Sequence, residues 1–98
     1  MKVTIEFDYT QKDLMGDIQV LDIPEHTTLL VFLESVDTLI EEACTLKGVG
    51  SGKVKILNRN GNLNSCIATV NDEAPPDLLE HCLQEGDTIS LLYGYCGG

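Results

Sequence analysis

The residues best suited to chemistry stand together at one end of the 98-residue chain, as Tyr95-Cys96-Gly97-Gly98. Glycine has no Cβ, so a diglycine is the thinnest peptide available. It can thread a narrow channel and offer an unhindered carboxylate, here on Gly98, to chemistry performed by another protein. Cys96 adds a thiol two residues before that carboxylate. Two readings of it stay open: a nucleophile that attacks an activated C-terminus or forms a mixed disulfide or thioester, or an incidental residue of the tail. Tyr95 and Leu92 are an aromatic and an aliphatic group of the kind that anchors a segment in a partner's groove. Leu92 also falls outside the core-facing register of Ile89, Leu91 and Tyr93, which makes it an expected partner-interface residue.

No other constellation offers catalysis. Cys44, Cys66, Cys82 and Cys96 are separated by 22, 16 and 14 residues, without the close pair that usually preorganises a zinc site, so free thiols, mostly buried, are expected rather than a metal. His26 and His81 read as surface or capping residues. Gly48-Val49-Gly50-Ser51-Gly52 lacks the lysine and hydroxyl that a phosphate-cradling loop needs. With 16 acidic and 6 basic residues the formal net charge is -10, which repels phosphate backbones and suits a basic partner or simple solubility. The absence of a long apolar run or a charged leader leads to the expectation of a cytoplasmic protein with no membrane association.

The elements that must position the tail can be read in order. Lys2 to Asp8 alternates, with Val3, Ile5 and Phe7 on one face, as in a half-buried strand. Tyr9 to Met15 reads as a polar connection closed by Gly16. Asp17 to Ile23 reads as a second strand, paired with the first as a hairpin, in which the alternation shifts after Val20 and suggests a bulge or an end near Pro24. Thr27-Thr28 offers a hydroxyl cap for a helix. Leu29, Phe32, Leu33, Val36, Ile40 and Ala43 then form one stripe, with Glu34, Asp37 and Glu41 assigned to the opposite side and Gly48 as the C-terminal cap.

Lys53 to Leu57 reads as a third strand, and Asn60-Gly61 as a type I′ turn into a fourth over Leu63 to Val70. Asn71 to Pro76 breaks regular structure, and Asp77 is placed to cap a short helix through Cys82. Glu85-Gly86-Asp87 turns the chain into a last strand, from Thr88 to Tyr93. One long helix and several strands, each with one apolar face, predict a single two-layer α+β domain in which a mixed sheet packs on the helix, with a mobile tail over about residues 94–98.

That element order, the Glu85-Gly86-Asp87-Thr88-Ile89 turn and strand, and the Gly97-Gly98 end resemble the β-grasp sulfur carriers called MoaD and ThiS, and more distantly ubiquitin. The resemblance implies a ubiquitin-like β-grasp fold and a protein that is not itself an enzyme and binds no cofactor. It implies that Gly98 carries the reacting carboxylate, with Gly97 giving room beside Cys96 and Tyr95. A MoeB-like or ThiF-like partner would adenylate Gly98 with ATP and magnesium, and a thiocarboxylate would deliver sulfur to a synthase in molybdopterin-type or thiamin-type biosynthesis. The chain is expected to be a monomer on its own. A ubiquitin-like modifier, or a noncovalent β-grasp interaction module, is the alternative.

Overall fold

The structure, a computed structural model, describes residues 1–51, 54–64 and 66–93. Strand β1 (Lys2–Glu6) is followed by helix α1 (Tyr9–Met15), strand β2 (Ile18–Asp22), helix α2 (Leu29–Lys47), strand β3 (Cys66–Val70), a 3₁₀ turn at Leu78–Glu80 and strand β4 (Thr88–Tyr93). The sheet runs β2-β1-β4-β3, with β1 and β4 parallel and the outer pairs antiparallel. It is therefore a mixed sheet, and α2 covers one face of it in the β-grasp arrangement.

The alternation in β1 does what it predicts: Val3 and Ile5 are fully buried. Helix α2 starts where the Thr28 hydroxyl accepts the Val31 amide at 3.3 Å. It ends at Gly48, whose φ of 72° is open to glycine at little cost. Gly48 N–H donates to the Thr45 carbonyl (3.1 Å) and Val49 N–H to that of Cys44 (3.0 Å), which closes the helix in a Schellman motif. Between these caps Leu29, Phe32, Leu33, Val36 and Ile40 are wholly buried against Val3, Ile5, Ile89 and Leu91. Each such side chain removed from water contributes roughly 1.5–3 kcal/mol before chain entropy is charged against it.

Several expectations are corrected. Tyr9 to Met15 is helical rather than an irregular connection. Gln11 is buried and donates its amide to the Val54 carbonyl, Leu14 and Met15 pack against the core, and Gly16, at φ 91°, closes the turn with its N–H on Lys12 (2.9 Å). Seven residues with only two adjacent apolar positions give no helical periodicity, so tertiary packing decides. Strands β1 and β2 do pair, but across this helix. Their register runs without interruption from Lys2↔Asp22 to Glu6↔Ile18, so β2 has no bulge. Leu21 and Ile23 turn inward, and Ile18 and Val20 face solvent.

No strand forms over 54–57; Lys53, its expected first residue, lies outside the described residues. Asp37, assigned to the polar side of α2, is instead buried at 5% exposure. Its carboxylate accepts the Ile56 amide at 2.6 Å and the Leu57 amide at 3.0 Å. The donors a third strand would place in a ladder are spent on the helix, and Leu57 retains only an isolated bridge to Leu63.

The turn types also change places. At Asn58–Asn62 only Gly61 has positive φ (80°), and the Gly61 N–H donates to the Asn58 carbonyl at 3.0 Å, giving a three-residue loop with a bulge. Asn71 and Asp72 instead take φ of 53° and 67° between Val70 and Glu73, which exchange backbone bonds at 2.8 and 3.0 Å as in a type I′ turn. The fourth strand is correspondingly shortened to Cys66–Val70, and its expected partner face at Ser65 lies outside the described residues. Asp77 makes no side-chain cap; its carbonyl accepts the Glu80 N–H at 2.9 Å.

Candidate functional site

The candidate site is the far end of β4, and the geometry begins at its near end. Gly86 has φ of 85° and donates its N–H to the Lys2 carbonyl at 2.8 Å. The Asp87 carbonyl accepts Thr4 N–H at 2.9 Å, and the Glu85 carboxylate accepts Lys2 N–H at 2.9 Å. The buried Asp87 carboxylate accepts the Gln84 amide and the Asn71 side-chain amide, each at 2.9 Å, while the Asn71 oxygen accepts Thr88 N–H at the same distance. Six bonds thus set the register of β4 before its first apolar residue. The Glu85-Gly86-Asp87 turn singled out in the sequence is the anchor of the last strand.

The other end is different. Parallel pairing to β1 covers Thr88 to Ser90, whereas antiparallel pairing to β3 continues to Cys66↔Tyr93. The last three residues of β4 therefore outrun β1 and keep a single neighbouring strand. Ile89 and Leu91 point into the core at 0% and 2% exposure; the inward direction expected of the Tyr93 side chain lies outside the described side chains. Leu92 faces out at 51% exposure, directly opposite Ile67 of β3 at 56%. Side chains opposite one another on one face lie close enough to form a continuous surface, here an apolar one. Ile67 was not singled out in the sequence, although its position out of register with Ala68 and Val70 is the signal that finds it.

Beside this pair the outer face is polar, and Ser90 donates its hydroxyl to the Glu6 carboxylate across the strands at 2.7 Å. Tyr95, Cys96, Gly97 and Gly98, and the tail expected over 94–98, lie outside the described residues. The structure thus describes the platform that leads to them.

Cys44 is buried, Cys66 partly buried and Cys82 exposed; Cys44 and Cys82 are free thiols. His81 is a structural residue through its carbonyl, which accepts the first amide of α2 at 2.9 Å, and His26 is exposed at a positive φ of 69°. Among the described residues no group of three or more histidine, cysteine or carboxylate side chains could hold a metal ion, and no helix is long and apolar enough to cross a membrane.

The protonation of Asp37 is perturbed by its surroundings. Loss of water around it raises its pKa above the ordinary value, and the amides of Ile56 and Leu57, with Lys55 nearby, recover only part of that cost. It braces the segment beside β3: the Ile56 carbonyl accepts Asn64 N–H at 2.8 Å and faces the Cys66 thiol at 3.9 Å.

No family model matches the chain, and no curated protein matches it in sequence. Solved structures do match its fold. SAMP1 from Haloferax volcanii superposes with a TM-score of 0.73 at 16% identity, covering 100% of both chains. A second structure, of H. volcanii small archaeal modifier protein 1, gives 0.68 at 15% identity over 92% of this chain and 93% of that one. A Pyrococcus furiosus protein described as molybdopterin converting factor subunit 1 gives 0.63 at 15% identity over 96% and 98%. The chain therefore has the ubiquitin-like β-grasp fold, and at these identities fold is what the likeness establishes.

Proposed function

We propose that the chain is a sulfur carrier and that Gly98 bears the reacting group. A MoeB-like or ThiF-like enzyme would attack the α-phosphorus of ATP with the Gly98 carboxylate, releasing pyrophosphate and leaving an acyl adenylate. Magnesium on that enzyme would neutralise the phosphates. A hydrosulfide equivalent then displaces AMP from the acyl carbon, and the resulting thiocarboxylate delivers its sulfur to an accepting synthase. Activation is needed because a carboxylate resists nucleophilic attack, whereas an acyl phosphate has a good leaving group.

The observation that carries this reading is the asymmetry of β4. The strand is pinned through Gly86 and Asp87, then runs beyond β1 beside exposed Leu92 and Ile67, toward a sequence that ends in Gly97-Gly98. A rigid lever with an apolar landing surface is what a partner needs to bring a thin peptide into its own active site. The β-grasp neighbours named as a molybdopterin converting factor subunit and as modifier proteins support the class. In this reading the domain is a passenger rather than an enzyme, Leu92 belongs to the docking surface, and Tyr95 and Cys96 travel with the tail.

A second reading draws on the modifier proteins among those neighbours: Gly98 would be joined to a lysine amine of another protein. Extending the chain by several residues past Gly98 tests both tail chemistries. Loss of adenylate-dependent product formation is expected, whereas undiminished function would leave only a noncovalent module. The product's mass separates the first two, since sulfur carriage exchanges one oxygen for one sulfur and conjugation adds a whole protein.

A further inference from the structure

The two edges of the sheet are finished differently. On the β3 edge, Val70 exchanges both its backbone groups with Glu73, and the loop bearing Ile56 lies against Cys66. Among the described residues the β2 edge has no such cover. Phe7 N–H donates to Asp17 (2.9 Å) and Ile23 N–H to Met1 (2.8 Å), which fixes the phase of the β1/β2 ladder. The residues bonded to β1 are Asp17, Gln19, Leu21 and Ile23. Ile18, Val20 and Asp22 therefore turn their N–H and C=O groups outward, where no described strand receives them.

This edge carries few of the usual safeguards. Exposed edges are normally blunted by a lysine, a proline or a bulge, and Ile18–Asp22 contains none of these. Two of its three outward residues are β-branched and apolar, Ile18 at 55% and Val20 at 58% exposure, and the third is the exposed Asp22. Exposed aspartates bound it: Asp17, 3.4 Å from Lys12, and Asp22, near Lys2 (3.8 Å) and the Met1 ammonium (3.3 Å). Exposed pairs of this kind exchange partners cheaply.

We infer that the β2 edge is a strand-addition site for an extended, lysine- or arginine-flanked segment of another protein. Such a strand would take up the outward groups of Ile18, Val20 and Asp22, lay alternate apolar side chains beside Ile18 and Val20, and place cations near Asp17 and Asp22. A second copy of this chain fits less well, because each copy carries a formal net charge of -10, and antiparallel pairing about Val20 sets each Asp22 opposite an isoleucine. The site lies on β2, away from Leu92, and stands independently of the tail chemistry.

A capped seven-residue peptide with alternating valine and threonine and a lysine at each end is the probe, titrated into the labelled full chain while backbone amides are followed by NMR. The expected result is saturable shifts and slowed hydrogen exchange centred on Ile18, Val20 and Asp22. Affinity should fall as salt rises, and a glutamate-flanked version should bind at least about tenfold more weakly. Val20→Pro should abolish binding while preserving the fold, because the Val20 N–H is not used by β1. Should that variant unfold, the same peptide with its alternate amides N-methylated removes the edge bonds without touching the protein, and it too should not bind. Shifts centred on β3 or on Leu92, equal binding of both flanked peptides, no saturation at millimolar probe, or dimerisation of the chain through β2 would each overturn the inference.

Discussion

The two ends of β4 are built on opposite principles. At its start a left-handed glycine bonds the chain to β1, while a buried carboxylate and an asparagine tie the strand to the turns beside it. At its far end β1 is gone, one neighbour remains, and two apolar side chains face solvent. Polar bonds are concentrated at the anchored end, and apolar exposure at the end where the proposed partner would dock. A carrier can hold its reactive end accessible only if the strand behind it cannot slip.

Asp87→Ala attacks the anchored end and should have the largest effect on folding. It leaves the Gln84 amide and the Asn71 side chain without their acceptor, at a cost of about 2–3 kcal/mol. For a domain of this size that corresponds to a fall of roughly 10–20 °C in thermal midpoint, measurable by calorimetry. Gly86→Ala is milder. A Cβ there meets nothing within 4 Å, so the cost is that of holding alanine at φ 85°, about 1–2 kcal/mol by denaturant titration.

Asp37 braces the segment beside the far end indirectly, and pH sharpens its role. Because burial raises the folded-state pKa above the unfolded value, the folded chain binds this proton more tightly. The penalty for ionising Asp37 is present in full above the folded pKa and is relieved as pH falls through it toward 3.8. Amide shifts of Ile56 and Leu57 should therefore report a midpoint above the ordinary carboxylate value. In Asp37→Asn that titration should vanish, and a midpoint at or below 3.8 in the native chain would refute the assignment.

The smallest effect on stability belongs to the exit. Leu92→Arg and Ile67→Arg should each change unfolding free energy by no more than about 0.5 kcal/mol. Each should nevertheless weaken binding to an adenylating partner at least about tenfold, as surface plasmon resonance would show. A stability loss comparable to that of Asp87→Ala would mean that the exit is core after all.

The β-grasp outline was legible because its main elements carry strong periodicity and explicit punctuation: the alternation of Val3, Ile5 and Phe7, the stripe from Leu29 to Ile40, and the caps at Thr28 and Gly48. What escaped was decided by polar side chains acting over distance. Gln11 helps hold a short helix against the core, and Asp37 takes the amides of Ile56 and Leu57 and so prevents a third strand. A carboxylate in a helix reads as solvated until its place between Leu33 and Ile40 is noticed. Leu92 could be singled out from register alone; Ile67, its opposite number, could not be placed beside it until strand pairing was known.

The central claim concerns the reacting end itself, and intact-mass analysis with C-terminal peptide mapping tests it most directly. The full chain would be incubated with a MoeB-like or ThiF-like enzyme, ATP, magnesium and sulfide, then compared with a control lacking ATP. The account predicts an ATP-dependent exchange of one oxygen for one sulfur, confined to the peptide ending in Gly98. With enzyme shown to adenylate its own carrier under the same conditions, an unchanged mass, or sulfur found only on a cysteine, would contradict it.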